Sequence, residues 1–245
     1  MKEGNPTSRD KLNIPKNARV LDVGSGHNPH PRANVVVDKF VDTNYHRAAN
    51  IKVLAKQEFI NADGENLPFK DNEFDYVIAN HVLEHVDHPD KFLNELARVG
   101  KRGYVETPSL IGEHLIPKES HKWLLLDINN KLVIVSKERV NFHTSHDFGY
   151  IFLDYFQKNS IGYKILQRTH HQLFTVNYEW KDTIDYVLEP NEDIYMKYFE
   201  KAWAWDEAIY NDLMPQRSVS EEFMQSFSAM VDIAKSVFKS KVLKK

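Results

Sequence analysis

The chain has 245 residues, of which 42% are hydrophobic and 27% are charged, and its formal net charge is −3. This profile is typical of a globular chain with one domain and an elaboration, and the acidic balance disfavours a nucleic-acid ligand. The absence of cysteine excludes disulfides, zinc–thiolate sites, iron–sulfur clusters and thiol nucleophiles. No apolar run approaches the ~18 residues of a spanning helix, so we expect no membrane span and a cytoplasmic location.

Short apolar segments alternate with polar loops in the first half of the chain. We predict one helix, over 89–99, and five strands, over 18–23, 35–38, 59–62, 74–79 and 103–107. Pro29 and Pro31 favour a loop between the first two strands, where a full helix would otherwise be expected. Strands that alternate with crossovers predict an α/β fold with a parallel sheet covered on both faces.

The second half shows a different pattern. Segments 122–126 and 131–135 predict an inserted hairpin, and segments 162–166 and 173–176 predict a second hairpin. From Trp180 on we predict helices, and Ser218 starts the last one with a capping box. Its apolar stripe is expected to be core: Phe223, Phe227, Met230, Val231, Ala234, Val237 and Phe238.

These patterns divide the chain into three parts. Residues 1–17 form an N-terminal arm, residues 18–178 form the main domain with an inserted cap segment over 109–143, and residues 179–245 form a helical C-terminal extension. We see no internal repeat.

Polar residues and glycines follow four of the predicted strands. They are Asp22, Gly24, Ser25 and Gly26 after the first strand, Asp38 after the second, Asp63 and Gly64 after the third, and Asn80 and His81 after the fourth. Open α/β sheets bind ligands at the carboxyl ends of their strands, so together these residues predict a nucleoside site. A dinucleotide fingerprint would require glycine at position 29, which is proline.

Two stretches of sequence resemble a known family. The run from Val20 to Gly26, VLDVGSG, resembles motif I of the class I S-adenosylmethionine-dependent methyltransferases. Segments 66–86, 92–99 and 103–108 resemble the UbiE-like, type 11 branch of that superfamily. The resemblance covers residues 18–108 and implies a Rossmann-like seven-stranded sheet with an antiparallel terminal hairpin. It also implies S-adenosylmethionine as cofactor and S-adenosylhomocysteine as product.

The resemblance implies a role for each strand-end residue. The loop from Asp22 to Gly26 would hold the methionine part of the cofactor, Asp38 its ribose and Asp63, with Gly64 beside it, its adenine amino group. Asn80 and His81 would line the transfer site. The family's third motif I glycine is Asn28 here. Each residue also has a plainer structural interpretation, such as a turn at Gly24 and Gly26 or an Asx turn at Asp63.

Methyl transfer from a sulfonium is a direct displacement, in which the protein aligns the reactants and a base can remove one proton. Histidine suits that role near neutral pH. Our candidate catalytic residues are therefore His81, by resemblance, and His114 and His121, from the segment after the fifth strand. Glu106 and His146 are further candidates.

The function that we expect is methyl transfer to an oxygen or nitrogen atom of a small or medium-sized acceptor, of sugar, lipid-linked or secondary-metabolite type. A histidine-rich metal-dependent hydrolase and a non-catalytic S-adenosylmethionine-binding module remain as alternatives. No H-E-x-x-H motif is present, so we predict no metal site. The sequence leaves the oligomeric state open, with a homodimer among the options.

Overall fold

A computed structural model describes residues 1–43, 49–144, 146–203 and 209–242. The strands are β1 Lys2–Gly4, β2 Val20–Val23, β3 Val35–Asp38, β4 Glu58–Asn61, β5 Tyr76–Asn80, β6 Arg102–Pro108, β7 Trp123–Ile128, β8 Lys131–Ser136, β9 Thr175–Lys181 and β10 Tyr186–Leu188. The α-helices are α1 Pro89–Val99, α2 Leu110–Leu115, α3 Gln157–Asn159, α4 Ile161–Thr169, α5 Asp193–Glu200 and α6 Val219–Val242. A π-helix covers Ile151–Phe156, and short 3₁₀ turns cover Arg9–Lys11, His171–Leu173 and Ile209–Asp212.

The main sheet has seven strands in the order β1-β9-β6-β5-β2-β3-β4. The five strands predicted in the first half, β2 to β6, are mutually parallel, so their carboxyl ends meet at one edge. β9 runs antiparallel to β6, and β1 runs antiparallel to β9. The predicted α/β fold with a seven-stranded Rossmann-like sheet is therefore confirmed, and as expected no helix lies between β2 and β3.

The two faces of this sheet are buried against different parts of the chain. On one face, α1 packs Phe92, Leu93 and Leu96 against the sheet, and the β7–β8 hairpin adds Leu125 and Ile134. On the other face, Ile14 and Leu12 of the N-terminal segment cover Val36 and Ile78. The polar N-terminal arm thus takes the place that a crossover helix would occupy.

The inserted hairpin was correctly predicted. β7 and β8 pair antiparallel around a turn in which Asn129 and Asn130 have φ values of 51° and 63°, a left-handed conformation that asparagine tolerates. β10 adds to β8 in parallel, which makes a three-stranded sheet. The outer face of this second sheet packs against Met196 and Tyr198 of α5.

The predicted second hairpin, over 162–166 and 173–176, is wrong. Ser160 caps a helix there, because its Oγ accepts a hydrogen bond from the Tyr163 N–H at 3.1 Å. On the side of β9 away from β6, the antiparallel partner is instead β1, whose Lys2 lies opposite Trp180. The terminal antiparallel pair that the family resemblance implied is therefore built from the two ends of the domain.

The expectation of an entirely helical segment from Trp180 on is also wrong, since β9 continues to Lys181 and β10 follows. Within that segment, residues 204–208 and 243–245 lie outside the described residues. No helix in the described part of the chain is long and apolar enough to cross a membrane.

The predicted core stripe of α6 is wrong as well. The capping box at Ser218 forms, because the Glu221 carboxylate accepts the Ser218 N–H at 2.7 Å. However, Phe223, Phe227 and Phe238 are more than half exposed, and the helix buries Ala229 on its other side. α6 lies in contact with α4.

Candidate active site

Two adjoining cavities lie at the carboxyl edge of the parallel strands. The first, about 150 Å³, is the Asp38 cavity, lined among others by Asp38, Asp63 and Gly64. The second, about 470 Å³, is the Asn80 cavity, lined among others by Asp22, Ser25 and Asn80. Four residues line both: Gly24, Gly26, His81 and His85. The fold therefore brings together at one edge the residues that were predicted to hold the cofactor.

The loop after β2 has a conformation that requires glycine. Gly24 and Gly26 have φ values of 68° and 51°, which residues with a Cβ rarely adopt. A Cβ on Gly24 would also lie 2.4 Å from Val82 Cγ2. The Gly24 N–H donates to the Val37 carbonyl at 2.7 Å, so the end of β3 holds the loop in place. The left-handed turn and the lack of side chains at Gly24 and Gly26 favour this loop as a place where a ligand can approach the backbone closely.

Asp22 ends β2 as a fully buried carboxylate. Burial raises its pKa to about 6, although the His30 N–H, which donates to Asp22 Oδ2 at 2.7 Å, lowers it in part. Next to it, Ser25 Oγ and Asn80 Oδ1 are buried, and neither has a hydrogen-bond partner among the described residues. Buried polar atoms ordinarily have partners, so these two indicate a site built for a polar ligand.

Asp38 lies at the end of β3 and is 8% exposed. Its Oδ2 accepts the Gly26 N–H at 3.1 Å, and its Oδ1 accepts the Phe40 N–H at 3.0 Å. These two bonds orient the carboxylate at the wall of the cavity. The Asp38 carboxylate therefore supports the glycine loop and also lines the cavity.

Asp63 shows the plainer of its two predicted interpretations, the Asx turn, and also forms an ion pair. Its Oδ1 accepts the Glu65 N–H at 3.0 Å, which is an Asx turn, and its Oδ2 pairs with Lys39 Nζ at 2.6 Å. Burial alone would raise the pKa of Asp63, but the Lys39 and Glu65 hydrogen bonds outweigh it and lower that pKa. Asp63 therefore stays ionised at the cavity rim, where it can accept a ligand amino group.

Gly64 has a packing reason to be glycine. A Cβ there would lie 2.6 Å from Phe92 Cε2 and 3.1 Å from Val23 Cγ1. The glycine thus lets the loop after β4 close over α1 and complete the wall of the Asp38 cavity.

His81 lies between two carboxylates. Its Nδ1 is 3.2 Å from Glu84 Oε1, and its Nε2 is 3.6 Å from Glu106 Oε1. Burial would lower the pKa of His81, but hydrogen bonds to Glu106 and Glu84 raise it to about 10. His81 is therefore an imidazolium at neutral pH, better suited to donating hydrogen bonds than to accepting a proton.

The other two predicted catalytic histidines lie in different places. His121 lines the Asn80 cavity and is almost fully buried, with Nδ1 2.5 Å from Glu113 Oε2. His114 lies on α2 with its ring 4.6 Å from that of Phe142, and it lines neither cavity. His146 stacks on Phe148 and also lies outside both linings. The structure thus brings His121, but not His114, to the site.

Sequence reasoning missed two members of the site. Arg9, in the N-terminal arm, donates from Nη2 to the Asn28 carbonyl at 2.7 Å and lines the Asn80 cavity. Glu84 is fully buried and accepts the Thr107 hydroxyl at 3.0 Å. The sequence did offer a signal for Glu84. It is an acidic residue that directly follows apolar Val82 and Leu83, in the segment between His81 and His85. No local signal marks Arg9, because only the fold brings the arm to this edge.

Comparison with known proteins identifies the family of this domain. The family model described as "Methyltransferase domain" matches residues 21–105. Residues 21–105 form a methyltransferase domain of the class I S-adenosylmethionine-dependent superfamily, UbiE-like branch. S-adenosylmethionine is accordingly the cofactor of this domain.

Similar proteins include an uncharacterized protein of Methanocaldococcus jannaschii, 31% identical over 126 residues, which are 49% of this chain and 60% of that protein. The UbiE ubiquinone/menaquinone biosynthesis C-methyltransferase of Pseudomonas fluorescens is 33% identical over 98 residues, which are 35% of this chain and 38% of that enzyme. A solved S-adenosylmethionine-dependent methyltransferase of Methanosarcina mazei is 21% identical, with 42% of this chain and 57% of that chain covered and a TM-score of 0.32. The chain thus matches less than two thirds of the length of these relatives.

The described residues fit the cofactor. The glycine cradle gives close backbone approach, the buried Ser25 and Asn80 oxygens lack protein partners, and Asp38 and Asp63 supply acceptors for hydroxyl and amino groups. Asn28, in place of a third motif glycine, is held through its carbonyl by Arg9, so the departure from the family pattern is accommodated by the arm.

Proposed function

We propose that this chain transfers the methyl group of S-adenosylmethionine to an oxygen or nitrogen atom of a small or medium-sized acceptor, of sugar, lipid-linked or secondary-metabolite type. The observation that carries the proposal is the pair of adjoining cavities with His81, Gly24 and Gly26 in their shared wall. One cavity has the acceptors that an adenosine requires, and the other is larger and lined by polar and titratable groups.

Each part of the site has a proposed task. Asp38 binds the ribose hydroxyls, Asp63 binds the adenine amino group, and Asp22 with the glycine loop holds the methionine end. When bound, the cofactor supplies a methyl group activated by a sulfonium. The chain's own contribution is then to align an acceptor atom with that methyl group and to exclude water.

His81 and His121 differ in what they can do for the acceptor. As an imidazolium, His81 donates hydrogen bonds and orients an acceptor oxygen or a cofactor carboxylate. His121 has its Nδ1 engaged by Glu113, so its Nε2 is the ring atom that remains to present a lone pair to the cavity.

A carbon acceptor is the second candidate. The UbiE relatives are named C-methyltransferases, but the similarity to the enzyme of Pseudomonas fluorescens covers only 35% of this chain. The walls of the Asn80 cavity that come from the inserted segment lie outside the matched residues 21–105, among them Gly112, Ile116 and Lys118.

The test is transfer of an isotope-labelled methyl group to acceptors extracted from the source cell, read by mass spectrometry. Ile116→Ala enlarges the Asn80 cavity without touching the other, so we expect adenosylhomocysteine affinity within about threefold and turnover reduced by about tenfold or more, because a small misplacement of the acceptor is costly. Val219→Ala, at an exposed position of α6, is the matched control.

The outcomes separate the competing functions. Labelled product supports the proposal, and its fragmentation assigns the methyl to oxygen, nitrogen or carbon. Tight adenosylhomocysteine binding with no labelled product in any extract would favour a non-catalytic binding module and contradict the proposal.

A further inference from the structure

Three metal-ligating side chains meet in the Asn80 cavity. Glu84 and His85 follow β5, and His121 precedes the inserted β7 strand; one ligand atom from each lies within 4.8 Å of the others. Glu84 and His121 are buried and His85 is half-buried. Two chain segments far apart in sequence are needed to assemble this cluster, so it is a product of the tertiary fold.

Both histidines are held in the tautomer that a metal ligand requires. His85 Nδ1 is 3.0 Å from the Ser120 carbonyl oxygen, which can only accept, so Nδ1 carries the proton. His121 Nδ1 is 2.5 Å from Glu113 Oε2. Metal-binding histidines almost always donate their second ring N–H to a carbonyl or carboxylate in this way, which directs the Nε2 lone pair to the ion.

The carboxylates of the cluster are themselves fixed. The Thr107 hydroxyl donates to Glu84 Oε2 at 3.0 Å, and Lys137 Nζ donates to Glu113 Oε1 at 2.5 Å. Glu84 Oε1 lies 3.9 Å from His121 Nε2. Two ligands bonded at about 2.0–2.1 Å in a tetrahedral site are about 3.3–3.5 Å apart, so a small side-chain movement brings this pair to bonding geometry.

We propose that Glu84, His85 and His121 form a binding site for a divalent transition metal ion. Two imidazoles and one carboxylate, with no thiolate, suit Zn²⁺, Fe²⁺ or Co²⁺, and three protein ligands leave coordination positions open to the cavity. This proposal differs from our sequence-based expectation of no metal site, which relied on the absence of a helical H-E-x-x-H motif and stays untested.

The ion would act on the acceptor. Since the three ligands line the larger cavity beside Asn80 and His81, an acceptor hydroxyl bound to the metal would lie next to the transfer site with its O–H bond polarised by the ion. This role rests on the proposed function, whereas metal binding itself does not depend on it.

The experiment is titration of the chelator-treated, full-length protein with Co²⁺, read from the visible d–d absorption of the bound ion, followed by competition with Zn²⁺. We expect one ion per chain. His85→Gln and His121→Gln should each weaken binding by about tenfold or more, and Glu113→Gln, which removes the carboxylate behind His121, by about 10–100-fold. His88→Gln, at an exposed position outside the cluster, should match the wild type.

Circular dichroism and the melting temperature of each variant show that it is folded, and a separate measurement of methyl transfer distinguishes the two proposals. Absent d–d bands, or equal Co²⁺ affinity in the wild type and both histidine variants, would overturn the metal site even if methyl transfer is observed. Metal binding that the cluster variants abolish supports it even if no methyl transfer is found. Glu84→Gln is a supplementary variant, because loss of this buried carboxylate can prevent folding.

Discussion

At the scale of single residues, the Asp38 carboxylate accepts hydrogen bonds from the backbone N–H groups of Gly26 and Phe40. We propose that the same carboxylate also binds the ribose of the cofactor. Asp38→Asn keeps the shape and one acceptor oxygen, so one of the two N–H groups of Gly26 and Phe40 keeps its partner while the charge-assisted contact to the ribose is lost. Such contacts are worth about 1.5–3 kcal/mol. We expect adenosylhomocysteine affinity, measured by calorimetry, to fall about ten- to a hundredfold.

The control for Asp38 is Asp42→Asn, since Asp42 is an exposed acid four residues further on. Asp42→Asn should bind like the wild type. If Asp38→Asn also binds like the wild type while melting normally, the carboxylate serves the loop alone and the ribose contact is wrong.

His81 gives a pH prediction with a definite sign. Its pKa in the folded protein is raised by Glu106 and Glu84 to about 10, above the ordinary value of about 6.5. The folded state therefore holds the proton more tightly than the unfolded state. This contribution to the free energy of unfolding is complete below pH 6.5 and is lost as pH rises towards 10.

The measurement is the NMR chemical shift of the His81 ring Cε1–H, assigned by comparison with His81→Gln. We expect the imidazolium shift to persist through pH 8. A His81 midpoint near pH 6.5 would show that the two carboxylates do not hold the proton, and His81 would return as a candidate base.

The residue scale also shows what the sequence could and could not predict. Asp22, Gly24, Asp38 and Asp63 were identified because strand ends can be read from short apolar runs, and parallel strands end at one edge. The pairing of Glu84 with His121 could not be identified, because it depends on where the inserted segment folds back onto β5.

At the scale of elements, Gly64 and Gly162 can be compared directly, because a Cβ would be crowded at the first position and would have open space at the second. In the loop after β4, a Cβ on Gly64 would lie 2.6 Å from the fully buried ring of Phe92. In α4, a Cβ on Gly162 would meet nothing closer than Ser160 Oγ at 3.8 Å. The same substitution therefore has opposite expected effects.

We expect Gly64→Ala to lower the free energy of unfolding by about 1–3 kcal/mol, through overpacking. Gly162→Ala should raise it by up to about 1 kcal/mol, because alanine restricts the unfolded chain and favours helix. Urea denaturation measures both. A neutral Gly64→Ala would mean that Phe92 can move aside, and the packing reason for this glycine would be wrong.

The two incorrect predictions, the hairpin over 162–166 and 173–176 and the buried stripe of α6, share a cause: a short or one-sided apolar pattern does not decide between the structures that fit it. Segment 161–169 has a short apolar run that fits either a strand or a helix, and the Ser160 cap decides in favour of the helix. For α6, the sequence pattern showed an apolar face correctly, but a pattern cannot tell which side of a helix will find a partner. The helix instead buries Ala229 and contacts α4, while its aromatic residues stay exposed.

At the scale of the whole molecule, the order of the parallel strands followed from the alternation of elements, but the closure of the sheet did not. β1 has three residues, and it pairs with β9 at the far end of the domain. A strand this short carries almost no periodic signal, and its partner is separated by most of the chain. The same arm places Arg9 over the Asn80 cavity, so sheet closure and the ligand site are structurally linked.

A ligand that binds only the folded state stabilises the whole molecule against unfolding. This gives a prediction at the scale of the whole molecule. Adenosylhomocysteine at a hundred times its dissociation constant should add about 2.7 kcal/mol to the free energy of unfolding. For a chain of 245 residues, that corresponds to a rise in Tm of about 5–10 °C. Differential scanning fluorimetry measures it, with NADH at the same concentration as the control ligand. At that fixed concentration Asp38→Asn should show about half the rise or less, since a tenfold weaker complex adds about 1.4 kcal/mol. A rise with NADH and none with adenosylhomocysteine would contradict the cofactor assignment.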